Sequence, residues 1–167
     1  MNPASTPALR GPQWATLFAT LFGIGHLRPG PGTWGSATTI ILWWLGARLI
    51  APTWQPWVAG FLAAFVVLIG IPAATQVSRA SGLKDPQSVV IDEVAGQLIT
   101  LIAAPVAWQS LLLGFILFRA FDIVKPPPVR QLERLPEGTG ILIDDVGAGL
   151  YGLIVMQTVL HFGLIHR

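Results

Sequence analysis

The segment "VAGQLITLIAAPVAWQSLLLGFILF" (residues 94–118) decides the topology of this chain, because it is long, apolar and flanked by charged residues. As one membrane crossing, it would place Asp92 and Asp122 on opposite sides. As a hairpin broken at "APVAW" (residues 104–108), it would keep them on one side. Each arm would then have about 11–13 residues, roughly 17–20 Å, which is too short to cross a bilayer fully. We favour the hairpin, or a re-entrant pair of helices, because it collects the charged clusters at one face.

Three further apolar segments surround this one, at residues 37–53, 57–77 and 146–166. Hydrophobic residues make up 53% of the chain and charged residues 11%, against about 25% charged residues in an ordinary soluble domain. A membrane helix needs about 20 apolar residues, and the second and third of these segments reach that length. We therefore predict an all-α, multi-pass membrane helical bundle of about four apolar segments, forming one domain over residues 1–167.

The composition and the placement of charge limit the function. No basic run indicates a nucleic-acid partner, whereas the apolar segments indicate contact with a membrane bilayer. The chain has no cysteine, which excludes disulfides, a cysteine nucleophile and thiolate metal sites. The hairpin would bring the lysines and arginines to one end of the bundle. The positive-inside tendency then predicts that the polar site lies on the cytoplasmic side.

Two adjacent acidic pairs, Asp92–Glu93 and Asp144–Asp145, each stand at the start of an apolar run. Neighbouring helical residues diverge by about 100°, so we expect at most one of each pair to face inward. A single pair is also explained by acidic residues that complement a helix dipole. Two pairs together with Asp122, in a chain with eight acids, favour a shared site. Carboxylates without cysteine suit Mg²⁺ more than zinc.

Two cations accompany these acids at the end of the broken segment. Arg119 and Asp122 are three residues apart, on one helix face, and Lys125 follows three residues later, before the prolines at 126–128 stop the helix. Cations beside Mg²⁺ are what phosphoryl chemistry needs to neutralise developing charge. The simpler alternative is an ion pair within one helix and a lysine that reaches the membrane interface.

The loop "GIGHLRPGPGTWGS" (residues 23–36) holds five glycines just before an apolar helix. Glycines let backbone N–H groups approach an anion closely, and a helix start adds a favourable dipole. The alternative is a turn-rich loop at a membrane surface. The candidate substrate-binding residues here are Arg28, Gly32, Thr33, Gly35 and Ser36.

Four stretches of the chain carry a resemblance to a known family. They are "GIGHLRPGPGTWGS", "VVIDEVAGQ", "FRAFDIVKPPPV" and "GILIDDVGAGLYG". In the same order and spacing, across about residues 22–151, they resemble the phosphatidylglycerophosphatase A family. The stretches around Asp122 and Asp144 are the specific ones, and the glycine loop is less so. His26 and Arg28 depart from the small or polar residues expected in relatives.

The resemblance implies a Mg²⁺-dependent lipid phosphatase of the bacterial inner membrane. Such an enzyme removes the terminal phosphate of a phospholipid substrate, phosphatidylglycerol phosphate, to give phosphatidylglycerol. The attacking group would be a metal-activated water or, less favoured, Asp122. The residues assigned to metal binding are Asp92, Glu93, Asp144 and Asp145. Those assigned to catalysis are Arg119, Asp122 and Lys125.

Two rival functions stay open at this point. One is a non-enzymatic membrane protein, a scaffold or an ion-conducting subunit whose acids line a pathway. The other is a phosphatase that acts on a different lipid phosphate or on a soluble phosphomonoester. Release of phosphate by the purified protein would exclude the non-enzymatic rival. A preference for the headgroup of phosphatidylglycerol phosphate over other phosphomonoesters would exclude the second rival.

Overall fold

A computed structural model describes residues 11–164 of the chain. Within that range the protein is all-helical and contains no β-strand, as the sequence predicts. A short 3₁₀ turn, Ile24–His26, follows the first helix. The helices are α1 Gln13–Ala19, α2 Pro31–Ala47, α3 Gln55–Ser81, α4 Ile91–Thr100, α5 Trp108–Val124, α6 Val129–Leu132 and α7 Glu137–His161.

The break in the segment 94–118 is confirmed. Helix α4 ends at Thr100 and α5 begins at Trp108, with Pro105 in the turn between them. Pro105 disfavours helical backbone at Ala104, so α4 cannot continue through this turn into α5. Ala103 turns the chain with a φ of 58°. The arms are unequal, with 10 residues in α4 and 17 in α5, because α5 continues past Phe118 as far as Val124.

Helix α4 lies at the centre of the bundle, and every one of its residues except Glu93 is buried. Its backbone touches α7 where two glycines cross: a Cβ placed on Gly149 would lie 2.5 Å from the carbonyl oxygen of Gly96. The Thr100 hydroxyl donates a hydrogen bond to the Gly149 carbonyl at 3.2 Å. Glycine at both positions therefore sets the distance between α4 and α7, and with it the position of the acids on each helix.

Within residues 11–164, two helices are long and apolar enough to cross a membrane, α3 with 27 residues and α7 with 25. Arg79 near the end of α3 pairs with Glu137 at the start of α7 at 2.7 Å, so these two ends lie together. Helices α2 and α5 have 17 residues each, about 25 Å at the helical rise. Four membrane crossings and a single domain over 1–167 therefore stay predictions, and residues 165 and 166 of the last predicted segment lie outside the described range.

Candidate active site

Three carboxylates from two helices converge at the polar end of the bundle. Asp92 and Glu93 lie in the first turn of α4, and Asp145 lies two turns into α7. One oxygen from each lies within 4.8 Å of the others. Asp92 and Asp145 are buried and Glu93 is nearly so. We call these three residues the acidic cluster.

The acidic cluster has the chemistry of a site for a hard divalent cation. One oxygen of each carboxylate (Asp92 Oδ1, Glu93 Oε2 and Asp145 Oδ2) is buried without a hydrogen-bond partner among residues 11–164. Buried charges without a partner are strongly destabilising, and like charges at this distance repel. Mg²⁺ prefers carboxylate oxygens and commonly binds one or two of them together with water and substrate phosphates. The residues present therefore fit the expected metal.

The expectation that only one member of each acidic pair faces inward is wrong for Asp92 and Glu93, since both offer an oxygen to the cluster. The cluster lies at the N-terminal end of α4 rather than beside it. Side chains in a helix tilt toward its N-terminus, so consecutive residues in the first turn reach the same point. For the second pair the two side chains do diverge, since Asp145 joins the cluster and Asp144 does not, but both are buried, so Asp144 does not meet solvent as expected.

Asp144 instead binds Lys125. The Lys125 Nζ donates a hydrogen bond to Asp144 Oδ2 at 2.7 Å, and Asp144 Oδ1 accepts from the Asp145 backbone N–H at 3.0 Å. Lys125 reaches this position because it ends α5 in a left-handed conformation, with a φ of 46°. Burial lowers the pKa of Lys125, but the hydrogen bond and attraction to Asp144 outweigh it and raise the pKa above its usual value. Lys125 is therefore a permanent cation beside the cluster.

Arg119 links the acidic cluster to Asp122. Its Nη1 lies 2.7 Å from Asp122 Oδ2 and 3.6 Å from Glu93 Oε1. Although these are ion-pair distances, Nη1 and Nε are buried and make no hydrogen bond of good geometry with residues 11–164. The ion pair between Arg119 and Asp122 that their spacing predicts is present, and it lies within the site. The Arg119 guanidinium therefore has N–H groups that can donate hydrogen bonds to a bound anion.

The start of α2 packs directly on the acidic cluster. A Cβ on Gly32 would overlap the Glu93 carboxylate and lie 3.0 Å from Arg119 Nη1, so a larger residue there would displace these two side chains. A Cβ on Gly35 would lie 3.0 Å from the Cβ of Val90, so this glycine also packs closely on the residue before α4. The positive end of the α2 dipole thus lies beside the site, where it favours a bound anion.

The other predicted substrate-binding residues are placed differently. Ser36 is fully buried and its hydroxyl has no partner among residues 11–164. Thr33 and Arg28 are exposed, as is His26. Gly32 and Gly35 therefore reach the acidic cluster, while no contact joins Arg28 to it.

Three polar residues near the site received no role from the sequence. Gln97 is fully buried one turn after Glu93, and its amide atoms have no partner among residues 11–164. Glu133 has its Oε2 3.4 Å from Lys125 Nζ. Asp85 lies in the loop before α4, where partial loss of hydration raises the pKa of its carboxyl. Of these three, only Gln97 could have been noticed from the sequence, because it is a polar residue inside an apolar run.

Comparison with known proteins confirms the resemblance. The model of the family described as Phosphatidylglycerophosphatase A matches residues 17–160. The chain is 36% identical to Phosphatidylglycerophosphatase A of Haemophilus influenzae over 170 residues, which is 98% of each chain. It is also 36% identical to Phosphatidylglycerophosphatase A of Escherichia coli over 148 residues, 87% of this chain and 83% of that one.

A third relative carries a different name. The chain is 38% identical to the "Putative phosphatidylinositol-3-phosphatase" of Bacteroides thetaiotaomicron over 143 residues, 84% of this chain and 89% of the relative. No solved structure matches the chain.

Proposed function

The chain belongs to the phosphatidylglycerophosphatase A family, and we propose that it hydrolyses the terminal phosphomonoester of phosphatidylglycerol phosphate, a step of phospholipid biosynthesis. The observation that carries this proposal is the acidic cluster. Its partnerless carboxylate oxygens lie beside Arg119 and the start of α2. Cation-binding oxygens next to groups that bind anions are what a metal-dependent phosphatase requires.

In this proposal Asp92, Glu93 and Asp145 hold Mg²⁺. When bound there, Mg²⁺ neutralises phosphate charge and activates water as a nucleophile. Asp144, which the sequence assigned to the metal, has a different role because it holds Lys125 in place at 2.7 Å. The predicted ligand set is thus reduced from four carboxylates to three.

The remaining residues bind the phosphate and handle protons. Arg119 and Lys125 bind the phosphate oxygens, with Gly32 leaving room at the start of α2. The oxygen of water attacks phosphorus, the bond from phosphorus to the glycerol oxygen breaks, and that oxygen gains the proton that Asp122 takes from the attacking water. Asp122, held by Arg119 at 2.7 Å, accepts the proton from water. This role favours water over Asp122 itself as the nucleophile.

We also propose that the protein crosses the bacterial inner membrane several times, with the site on the cytoplasmic side. In support, large apolar side chains are exposed along α2, α3 and α5, among them Ile41, Phe61, Leu68 and Ile116. Arg79 lies at the end of α3 remote from the 48–54 turn, and Arg119 and Lys125 lie at the end of α5 that carries the acidic cluster, whereas the turn itself holds Arg48. Phosphatidylglycerol phosphate keeps its chains in the bilayer, so its phosphate would meet the acidic cluster at the interface.

Cysteine labelling checks this topology. Because the chain has no cysteine, Ser81→Cys and Thr139→Cys each supply one thiol at the polar end of the bundle. Both should react with a membrane-impermeant maleimide in inverted vesicles and stay unlabelled in intact spheroplasts. Trp54→Cys, in the turn before α3, serves as the opposite control. Labelling of the first two variants from opposite sides would contradict the shared polar face.

The proposed function is tested by phosphate release from a panel of substrates in mixed micelles with Mg²⁺. Phosphatidylglycerol phosphate should be turned over by purified protein at least about tenfold faster than glycerol phosphate in solution, because binding energy from the lipid positions the phosphate. The relative named for phosphatidylinositol makes a phosphoinositide the second candidate substrate. Faster turnover of phosphoinositides would make a phosphoinositide the substrate in place of phosphatidylglycerol phosphate. No phosphate release from any lipid would contradict an enzymatic function.

A further inference from the structure

A groove of about 560 Å³ runs between α2 and α5, and every residue that lines it is apolar. Ile40, Ile41 and Trp44 form one wall, and Trp108, Leu112 and Phe115 form the other. Leu112 is 51% exposed and Ile41 is 56% exposed, so the groove opens to the outside of the bundle. We call it the α2–α5 groove.

Helical spacing connects this groove to the site. On α5, Trp108, Leu112 and Phe115 lie on the same face as Arg119, since they precede it by eleven, seven and four residues. On α2, the same spacing places Thr33 on the face of the groove, eleven residues before Trp44. Thr33 and Arg119 are thus among the polar residues at the mouth, where the apolar walls meet the candidate active site.

The length of the groove fits one leaflet of a bilayer. From Arg119 to Trp108 the helix advances about 16 Å at the helical rise, close to half of the roughly 30 Å hydrocarbon core. At the far end, the guanidinium of Arg48 lies 3.7 Å from the centre of the Trp44 ring.

We propose that the α2–α5 groove binds an acyl chain of the lipid whose phosphate lies at the acidic cluster. The inference rests on the proposed function and adds to it a site for the hydrocarbon part of the substrate. An acyl chain is the one apolar occupant that is covalently attached to a phosphate at the mouth. The groove raises the fraction of bound substrate in which the phosphate faces Arg119.

A second apolar groove provides the matched control. It has about 570 Å³ and is lined by α3, α4 and α7, with Leu68 74% exposed on its wall. It also contains Ile143, which points about 160° away from Asp145 on α7. This groove therefore opens away from the acidic cluster, and an acyl chain inside it would not be directed at Arg119.

Kinetics with substrates of different chain length test the proposal. In full-length protein, Leu112→Trp and Ile41→Trp each fill the α2–α5 groove from one wall, and Leu68→Trp fills the other groove. The substrates are phosphatidylglycerol phosphates with hexanoyl or palmitoyl chains. Wild-type kcat/KM should rise with chain length, and Leu112→Trp and Ile41→Trp should lose about tenfold on the palmitoyl substrate, the equivalent of one or two buried CH₂ groups.

The same variants should stay within about twofold of wild type on the hexanoyl substrate, which leaves most of the groove empty. Leu68→Trp should keep the wild-type profile on both. The proposal is wrong if chain length has no effect in wild type, if both groove variants lose activity equally on both substrates, or if Leu68→Trp gives the same loss. Failure of wild type to release phosphate from any lipid would instead overturn the proposed function itself, and this inference with it.

Discussion

Asp145→Asn is expected to lower kcat/KM for phosphatidylglycerol phosphate by about a thousandfold, because loss of a metal-binding charge removes several kcal/mol of transition-state stabilisation. The asparagine keeps the shape of the side chain, so the helices should still pack. Asp92→Asn should have a comparable effect, since both side chains belong to the acidic cluster. Initial rates of phosphate release at saturating Mg²⁺ measure the loss.

A matched control for Asp145 exists on the same helix. Glu137→Gln removes an acid that pairs with Arg79 on the surface and should leave kcat/KM within about twofold, since exposed ion pairs contribute little. Asp144→Asn should fall between the two, because it loosens Lys125 without removing an oxygen of the cluster. Near-normal activity of both Asp145→Asn and Asp92→Asn would rule out the acidic cluster as the metal site.

The thermal stability of Asp145→Asn should not fall together with its activity. In chelator the acidic cluster is three carboxylates with partnerless oxygens, so neutralising one should leave Tm equal to or above that of wild type. Mg²⁺ should then raise the Tm of wild type and have a smaller effect on the variant, since a ligand stabilises the state that binds it. A Tm well below wild type in chelator would show that the loss of activity comes from misfolding.

Arg119→Ala is the second change with a large expected effect. It should reduce kcat/KM by about a hundredfold or more, because it removes a guanidinium that binds the phosphate in a partly dehydrated site. Arg134→Ala, on the exposed surface after α6, should stay within about twofold of wild type. Arg119→Lys should recover only part of the loss, since lysine lacks the planar pair of donors. Equal losses for the alanine variants of Arg119 and Arg134 would contradict the placement of Arg119 in the site.

The hairpin could be predicted because local chemistry and charge agree on it. Pro105 interrupts the apolar run, and only a reversal there brings Glu93 near Arg119, a pair that the structure places at 3.6 Å. The convergence of acids from separate stretches could be predicted for the same reason, since a carboxylate in an apolar bundle needs a partner.

The division of roles among the acids could not be predicted, because it depends on the path of the backbone. Asp144 accepts a hydrogen bond from Lys125 and does not join the acidic cluster, because a left-handed backbone conformation at the end of α5 places Lys125 beside it. Asp92 and Glu93 both enter the cluster because it lies at the tip of α4. The α2–α5 groove could not be predicted from the sequence either, since it depends on which faces of two helices that are far apart in the chain pack together.

The central claim is that Asp92, Glu93 and Asp145 form a Mg²⁺ site that serves lipid phosphate hydrolysis. The measurement that tests it most directly is phosphate release from phosphatidylglycerol phosphate by purified wild-type protein during a Mg²⁺ titration that starts in chelator. We expect no release in chelator, saturable recovery as Mg²⁺ is added, and no such recovery in Asp145→Asn. Full activity of the wild type in chelator, or equal recovery in the variant, would contradict the account.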